Sequence, residues 1–149
     1  MNHLTEVAAL VAEASDGSDA ELIVAAVLHD TLEDTDTTQL ELQELFGGRV
    51  ASLVAEVTDD KTLSKAERKR LQIQHAPDAS EGGKIIKIAD KTANLRALAA
   101  SPPADWPAAR RAEYVEWSRR VVHGCRGVND WLLREFEAAA LRVPLETQL

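Results

Sequence analysis

The chain has 149 residues, 45% hydrophobic and 28% charged, with a formal net charge of −8 at pH 7, enough for one domain with a sizeable core and too little for two of ordinary size. The acidic balance argues against broad nucleic-acid binding, which needs a basic surface, and no apolar run approaches the roughly 20 residues of a membrane span. A single cysteine, Cys125, excludes an internal disulfide framework, and a start without the basic segment of a signal peptide adds to the expectation of a cytoplasmic protein.

Aromatics are only 4% of the chain, with seven Gly and five Pro, so the core must be mostly Leu, Val, Ile and Ala, and an all-α fold is expected. Residues 4–14 carry apolar positions at helical spacing and stop at "SDGSD", where small polar residues offer a loop and a new N-cap. A second helix is predicted from about Ala20 to Thr31. "DTDTTQLELQELFGG" then reads as a polar turn, a short helix capped by Asp36 or Thr37, and a stop at Gly47 and Gly48. A further helix follows to about Thr58. The polar, basic segment from Lys61 to Gly83 predicts a helix over 64–75, a loop at Pro77, and more mobility than elsewhere. "KIIKIADKTANLRALAA" is apolar on one face and puts Asp90 and Asn94 one turn apart. "SPPADWP" ends it, and residues 108–142 are predicted helical with a break at "GCRG" and a close at Pro144.

Chemistry gathers where the second predicted helix ends. His29 and Asp30 can offer an imidazole nitrogen and a carboxylate oxygen to one cation. Asp90 is the best third ligand, because a lone carboxylate in an apolar helix is costly, and His3 is the fourth. Two His and two Asp suit Mn, Fe, Co or Zn better than an all-oxygen Mg or Ca site, with positions left for water as a nucleophile. Glu33 and Asp34 follow within about one turn, suited to moving protons. A solvated helix end followed by a negative turn accounts for the same residues, and spacing alone does not decide. From Lys61 to Arg96 nine basic residues face four acidic ones, a local +5 that suits a phosphate-rich substrate or a solubilising surface. Trp106, Tyr114 and Trp117 can stack on a base or fill core. His75, His123 and Cys125 have nothing around them that suggests activation.

His3, "VLHDTLEDTDTT" at 27–38, "EVTDDKTLSKAERKRLQ" at 56–72, "KIIKIADKTANLRAL" at 84–98 and "EYVEW" at 113–117 together form a pattern. It resembles the HD-domain (p)ppGpp hydrolases of the RelA/SpoT type, specifically the small alarmone hydrolases similar to metazoan SpoT homologues. The resemblance implies a single all-α HD helical bundle over 1–149 that binds Mn²⁺ through His3, His29, Asp30 and Asp90. It implies that activated water attacks the 3′-pyrophosphate linkage of ppGpp or pppGpp, giving GDP or GTP and pyrophosphate. Glu33 and Asp34 match the family's acidic pair, and Asn94 its site asparagine. Lys65, Trp106, Arg110 and Tyr114 match positions lining the nucleotide pocket. Relatives carry a further helix before the first histidine and a proline after it, whereas here two residues precede His3 and Leu4 follows. Two other readings keep the same residues: a phosphatase on another nucleotide phosphate such as NADPH, and a non-catalytic alarmone-binding module.

Overall fold

The computed structural model describes residues 2–146, and among these the chain is all-α. Nine helices form, α1 His3–Ala14, α2 Ala20–Val27, α3 Thr31–Asp34, α4 Gln39–Phe46, α5 Gly48–Glu56, α6 Lys65–His75, α7 Glu81–Ala100, α8 Ala108–Gly124 and α9 Asp130–Arg142, with one 3₁₀ turn over Ala76–Asp78. None is long and apolar enough to cross a membrane.

Local chemistry sets most of these ends. Asn2, Asp19, Thr38, Ser64, Ser80 and Asn129 each accept a backbone N–H from the first turn of their helix. Thr38, rather than Asp36 or Thr37, caps α4. Gly47 stops α4 at a φ of 93°, a conformation that a Cβ disfavours, so Gly48 already opens α5.

Helix α7 is the central element and packs against α1, α5, α8 and α9. Its apolar face buries Ile86, Ile88, Ala89, Ala93, Leu95 and Leu98, which join Val7, Val11, Val54, Val115, Leu132 and Phe136 in one continuous core. Arg96 leaves the same helix to pair with Glu6 at 3.3 Å and Glu135 at 2.8 Å, tying α7 to α1 and α9. Arg49 grips Asp19 through two hydrogen bonds of 2.6 and 2.7 Å, fixing the start of α2 on α5. The segment expected to be mobile is instead docked: α6 packs on α8, where the Trp117 indole donates to the Lys69 carbonyl at 3.1 Å and the Lys69 ammonium lies over the Trp117 ring. These contacts bring the end of α2, the first turn of α1 and the middle of α7 to one place.

Candidate metal centre

Helix α2 ends at Val27, four residues earlier than its sequence pattern predicts, because polar side chains take over its last carbonyls. The Thr31 hydroxyl donates to the Leu28 carbonyl at 2.7 Å, and the His29 ring nitrogen Nδ1 donates to the Ala26 carbonyl at 2.7 Å. His29 and Asp30 therefore sit in the link between α2 and α3 rather than on a helix face. With Nδ1 held by a carbonyl, Nε2 is the nitrogen that faces the cavity.

Four side chains converge there. Nε2 of His29 lies 3.2 Å from Oδ1 of Asp30 and 3.2 Å from Oδ1 of Asp90. Nε2 of His3, oriented by the Asn2 cap of α1, lies 2.9 Å from the same Asp90 oxygen. Donor atoms of His3, His29 and Asp30 all lie within 4.8 Å of one another, near the roughly 3–4 Å that separates donors each about 2 Å from one ion. A neutral His29 would aim its lone pair at two carboxylates, an arrangement that needs a proton or a cation between them. The donor set therefore fits a divalent metal of the imidazole-and-carboxylate class.

Asp90 is the electrostatic hinge. Burial alone would push its carboxyl up, but the Lys91 ammonium 3.1 Å from Oδ2 and the hydrogen bonds from His29 and His3 outweigh that and hold it well below the usual range. Burial works against protonating His29, yet the Asp90 hydrogen bond and charge leave its pKa raised. Lys91 is buried, and its ammonium rests 4.6 Å from the Trp117 ring centre.

A cavity of about 300 Å³ opens beside this cluster, and Glu33, Asp59, Gln72, Lys87 and Asn94 line it. The Glu33 carboxylate accepts the Asp59 backbone N–H. Burial nevertheless pushes the Glu33 pKa up, with the neighbouring acids adding to it. Asn94 also lines a second depression of about 230 Å³ with Trp106, Tyr114 and Pro103. Trp106 and Tyr114 meet edge to face at 5.7 Å, and the Arg110 guanidinium stacks 4.1 Å from the Trp106 ring. Arg111 fixes this loop by donating to the carbonyls of Trp106 and Pro144.

Of the residues expected at the site, His3, His29, Asp30, Glu33, Asp90 and Asn94 line the first cavity, and Trp106 and Tyr114 line its neighbour. Asp34 departs from expectation. Consecutive residues on a helix point about 100° apart, so Asp34 turns away from the cavity and pairs with Lys61 at 3.2 Å while 62% exposed. Lys65 also departs, standing exposed on the first turn of α6 and lining neither hollow. Asp59 and Gln72 had no assigned role in the sequence reading. They meet at 2.6 Å across the gap between α5 and α6, a pairing that no helical periodicity signals. Cys125 is buried as a free thiol.

The HD-domain family model matches residues 1–115. The guanosine-3′,5′-bis(diphosphate) 3′-pyrophosphohydrolase MESH1 of Danio rerio is 50% identical over 129 residues, covering 87% of this chain and 72% of that protein. Its Homo sapiens counterpart is 49% identical over 129 residues, with the same coverage of each chain. The solved structure of a metazoan SpoT orthologue that hydrolyses ppGpp superposes with a TM-score of 0.89 at 41% identity, over 97% of this chain and 82% of that one. With the four metal-type donors on three elements of this helical fold, the chain belongs to the HD-domain family, on the branch of the metazoan SpoT homologues.

Proposed function

We propose that this chain is a metal-dependent guanosine-3′,5′-bis(diphosphate) 3′-pyrophosphohydrolase, acting as one HD-type domain in the cytoplasm with Mn²⁺ as its ion. The observation that carries the reading is the side-by-side arrangement of a two-His, two-Asp donor cluster and a half-buried glutamate in one cavity. Its relatives of known name act on this nucleotide.

His3, His29, Asp30 and Asp90 would hold the ion, which when bound supplies Lewis-acid activation of water and of a phosphoryl oxygen. In the reaction the water oxygen bonds to the 3′-phosphorus, the bond from that phosphorus to the ribose 3′ oxygen breaks, and the 3′ oxygen takes up a proton. Glu33 is the group placed to take the water proton and pass it to the leaving oxygen, because it lines the cavity beside the donor cluster and burial raises its pKa, which favours proton uptake. The Asp59 N–H fixes the carboxylate that does this. Lys91, by holding Asp90 Oδ2, leaves Oδ1 turned toward the two histidines. Asn94 joins the reacting cavity to the depression of Trp106 and Tyr114, where the base would stack with Arg110 at its edge. Asp34 and Lys65 act at most at the rim.

Incubating the purified protein with ppGpp and Mn²⁺ tests this, with a chelator control and separate assays for pyrophosphate and orthophosphate. Chelator-sensitive pyrophosphate release is the expected result. Orthophosphate release instead, from ppGpp or from NADPH, would replace the reading with a nucleotide phosphatase. Tight binding of ppGpp without any product would replace it with a binding module.

A further inference from the structure

Asp90 offers Oδ1 to both histidines while the Lys91 ammonium holds its Oδ2 at 3.1 Å. The two residues are consecutive on α7, and neighbours on a helix leave it about 100° apart. The Lys91 stem must therefore bend back to reach Asp90. A lysine stem is flexible, and one hydrogen bond does not fix it. Among the described residues the buried Lys91 ammonium makes no second hydrogen bond and pairs with no other carboxylate. What meets it instead is the Trp117 ring, whose centre lies 4.6 Å away. The negative face of an indole attracts a cation most strongly where water is excluded, as it is here.

The ring itself is fixed from two sides. Its N–H donates to the Lys69 carbonyl of α6 at 3.1 Å, and Tyr114, one turn earlier on α8, meets it with ring centres 5.5 Å apart. Trp117 thus stands on α8, is tied to α6, and presents its ring to a lysine of α7. It lines neither the reacting cavity nor the depression of Trp106 and Tyr114, so it does not meet the reacting atoms. Its path to the site runs through Lys91 and Asp90. Two parts of one side chain do different things here: the N–H docks α6, and the ring face holds the ammonium.

We propose that Trp117 is a positioning residue of the metal centre: its ring keeps the Lys91 ammonium against Asp90 Oδ2, and so keeps Oδ1 turned to the two histidines as a metal donor. This rests on the metal-dependent reading above. Groups that orient a ligand from behind set metal affinity by about 10- to 100-fold. The chain from Trp117 through Lys91 to Asp90 makes the packing of α8 on α7 part of the metal site.

Calorimetric titration of Mn²⁺ into the metal-free full chain tests this without turnover. Trp117→Leu removes both the ring and the N–H, and is expected to weaken Mn²⁺ binding about tenfold. Trp117→Phe loses the N–H as well but keeps a ring face, and should stay within about threefold of the parent. Lys91→Met removes the cation through which Trp117 acts, so adding Trp117→Leu to it should weaken binding no further. Protein grown on 5-fluorotryptophan keeps the shape of the side chain with a less negative ring face, and should bind Mn²⁺ about twofold more weakly. Trp106 and Trp131 are labelled too, but neither lies over Lys91. Circular dichroism melts check the folding of each variant, and the fluorinated protein gives a result even where the leucine variant does not fold. Equal losses in the leucine and phenylalanine variants, a further loss in the Lys91→Met background, or unchanged affinity in the fluorinated protein overturns the positioning role and leaves the metal reading standing. A parent protein that binds no Mn²⁺ overturns both.

Discussion

At the scale of single residues, the division between Glu33 and Asp34 is the sharpest consequence of the geometry. Glu33 faces the metal-type cluster and Asp34 faces Lys61 in solvent. Glu33→Gln is therefore expected to lower kcat by about 10²- to 10⁴-fold, as loss of a general base does, and Asp34→Asn to cost far less; steady-state kinetics of the two variants decide this ordering. Burial raises the folded-state pKa of Glu33, so its ionisation weakens the fold as pH rises above the ordinary glutamate range. The glutamine variant keeps the acceptor for the Asp59 N–H without that charge. It should melt at the same or a higher temperature than the parent at pH 7, and a lower melting temperature would contradict the assignment. Asp90→Ala acts in the opposite direction, since it removes a ligand and strands the buried Lys91 ammonium. A loss of about 3–5 kcal/mol is expected for breaking such a pair, read from urea melts, together with loss of Mn²⁺ binding.

At the scale of elements, the site depends on where helices stop. The periodicity of α1, α5, α7 and the final region was legible, because each has an apolar face that must be buried. The end of α2 was not, since Val24, Leu28 and Leu32 keep a four-residue apolar spacing through it and only the side-chain bonds of His29 and Thr31 break the helix. That early stop places His29 and Asp30 in a link where both can turn inward. The partition of Asp59 and Gln72 was also hidden. They lie in a polar stretch that reads as solvated surface, and only the docking of α6 on α8 brings them to the cavity. This docking has a steric signature, because a Cβ on Gly124 at the end of α8 would come 2.9 Å from the Ala76 Cβ and 3.1 Å from the Pro77 ring in the turn after α6. Gly124→Ala should accordingly cost about 1–3 kcal/mol by overpacking, measured by denaturant melts, whereas an unchanged midpoint would mean that the turn gives way freely.

At the scale of the whole molecule, a chain of net charge −8 carries a basic island in sequence, residues 61–96 with a local charge of +5, of which Lys87 and Lys91 line the cavity. Such contrast attracts a polyanion to one face and is screened by salt. The kcat/KM for ppGpp should fall as ionic strength rises while kcat changes little; a salt-independent kcat/KM would remove any role for the island. The composition made the fold class readable, whereas the His, His-Asp, Asp pattern offered a metal cluster as one of two readings that spacing alone left open. Which acid of the pair turns inward required the packing of α3 on α5. The central claim is that water adds across the 3′-pyrophosphate linkage at the metal-type cluster. Turnover of ppGpp in ¹⁸O-labelled water with Mn²⁺, followed by ³¹P NMR and mass spectrometry, tests it most directly. The account predicts pyrophosphate carrying one ¹⁸O, unlabelled GDP, and no reaction once the metal is chelated; labelled orthophosphate, or ppGpp left intact by the Mn²⁺-loaded protein, would contradict it.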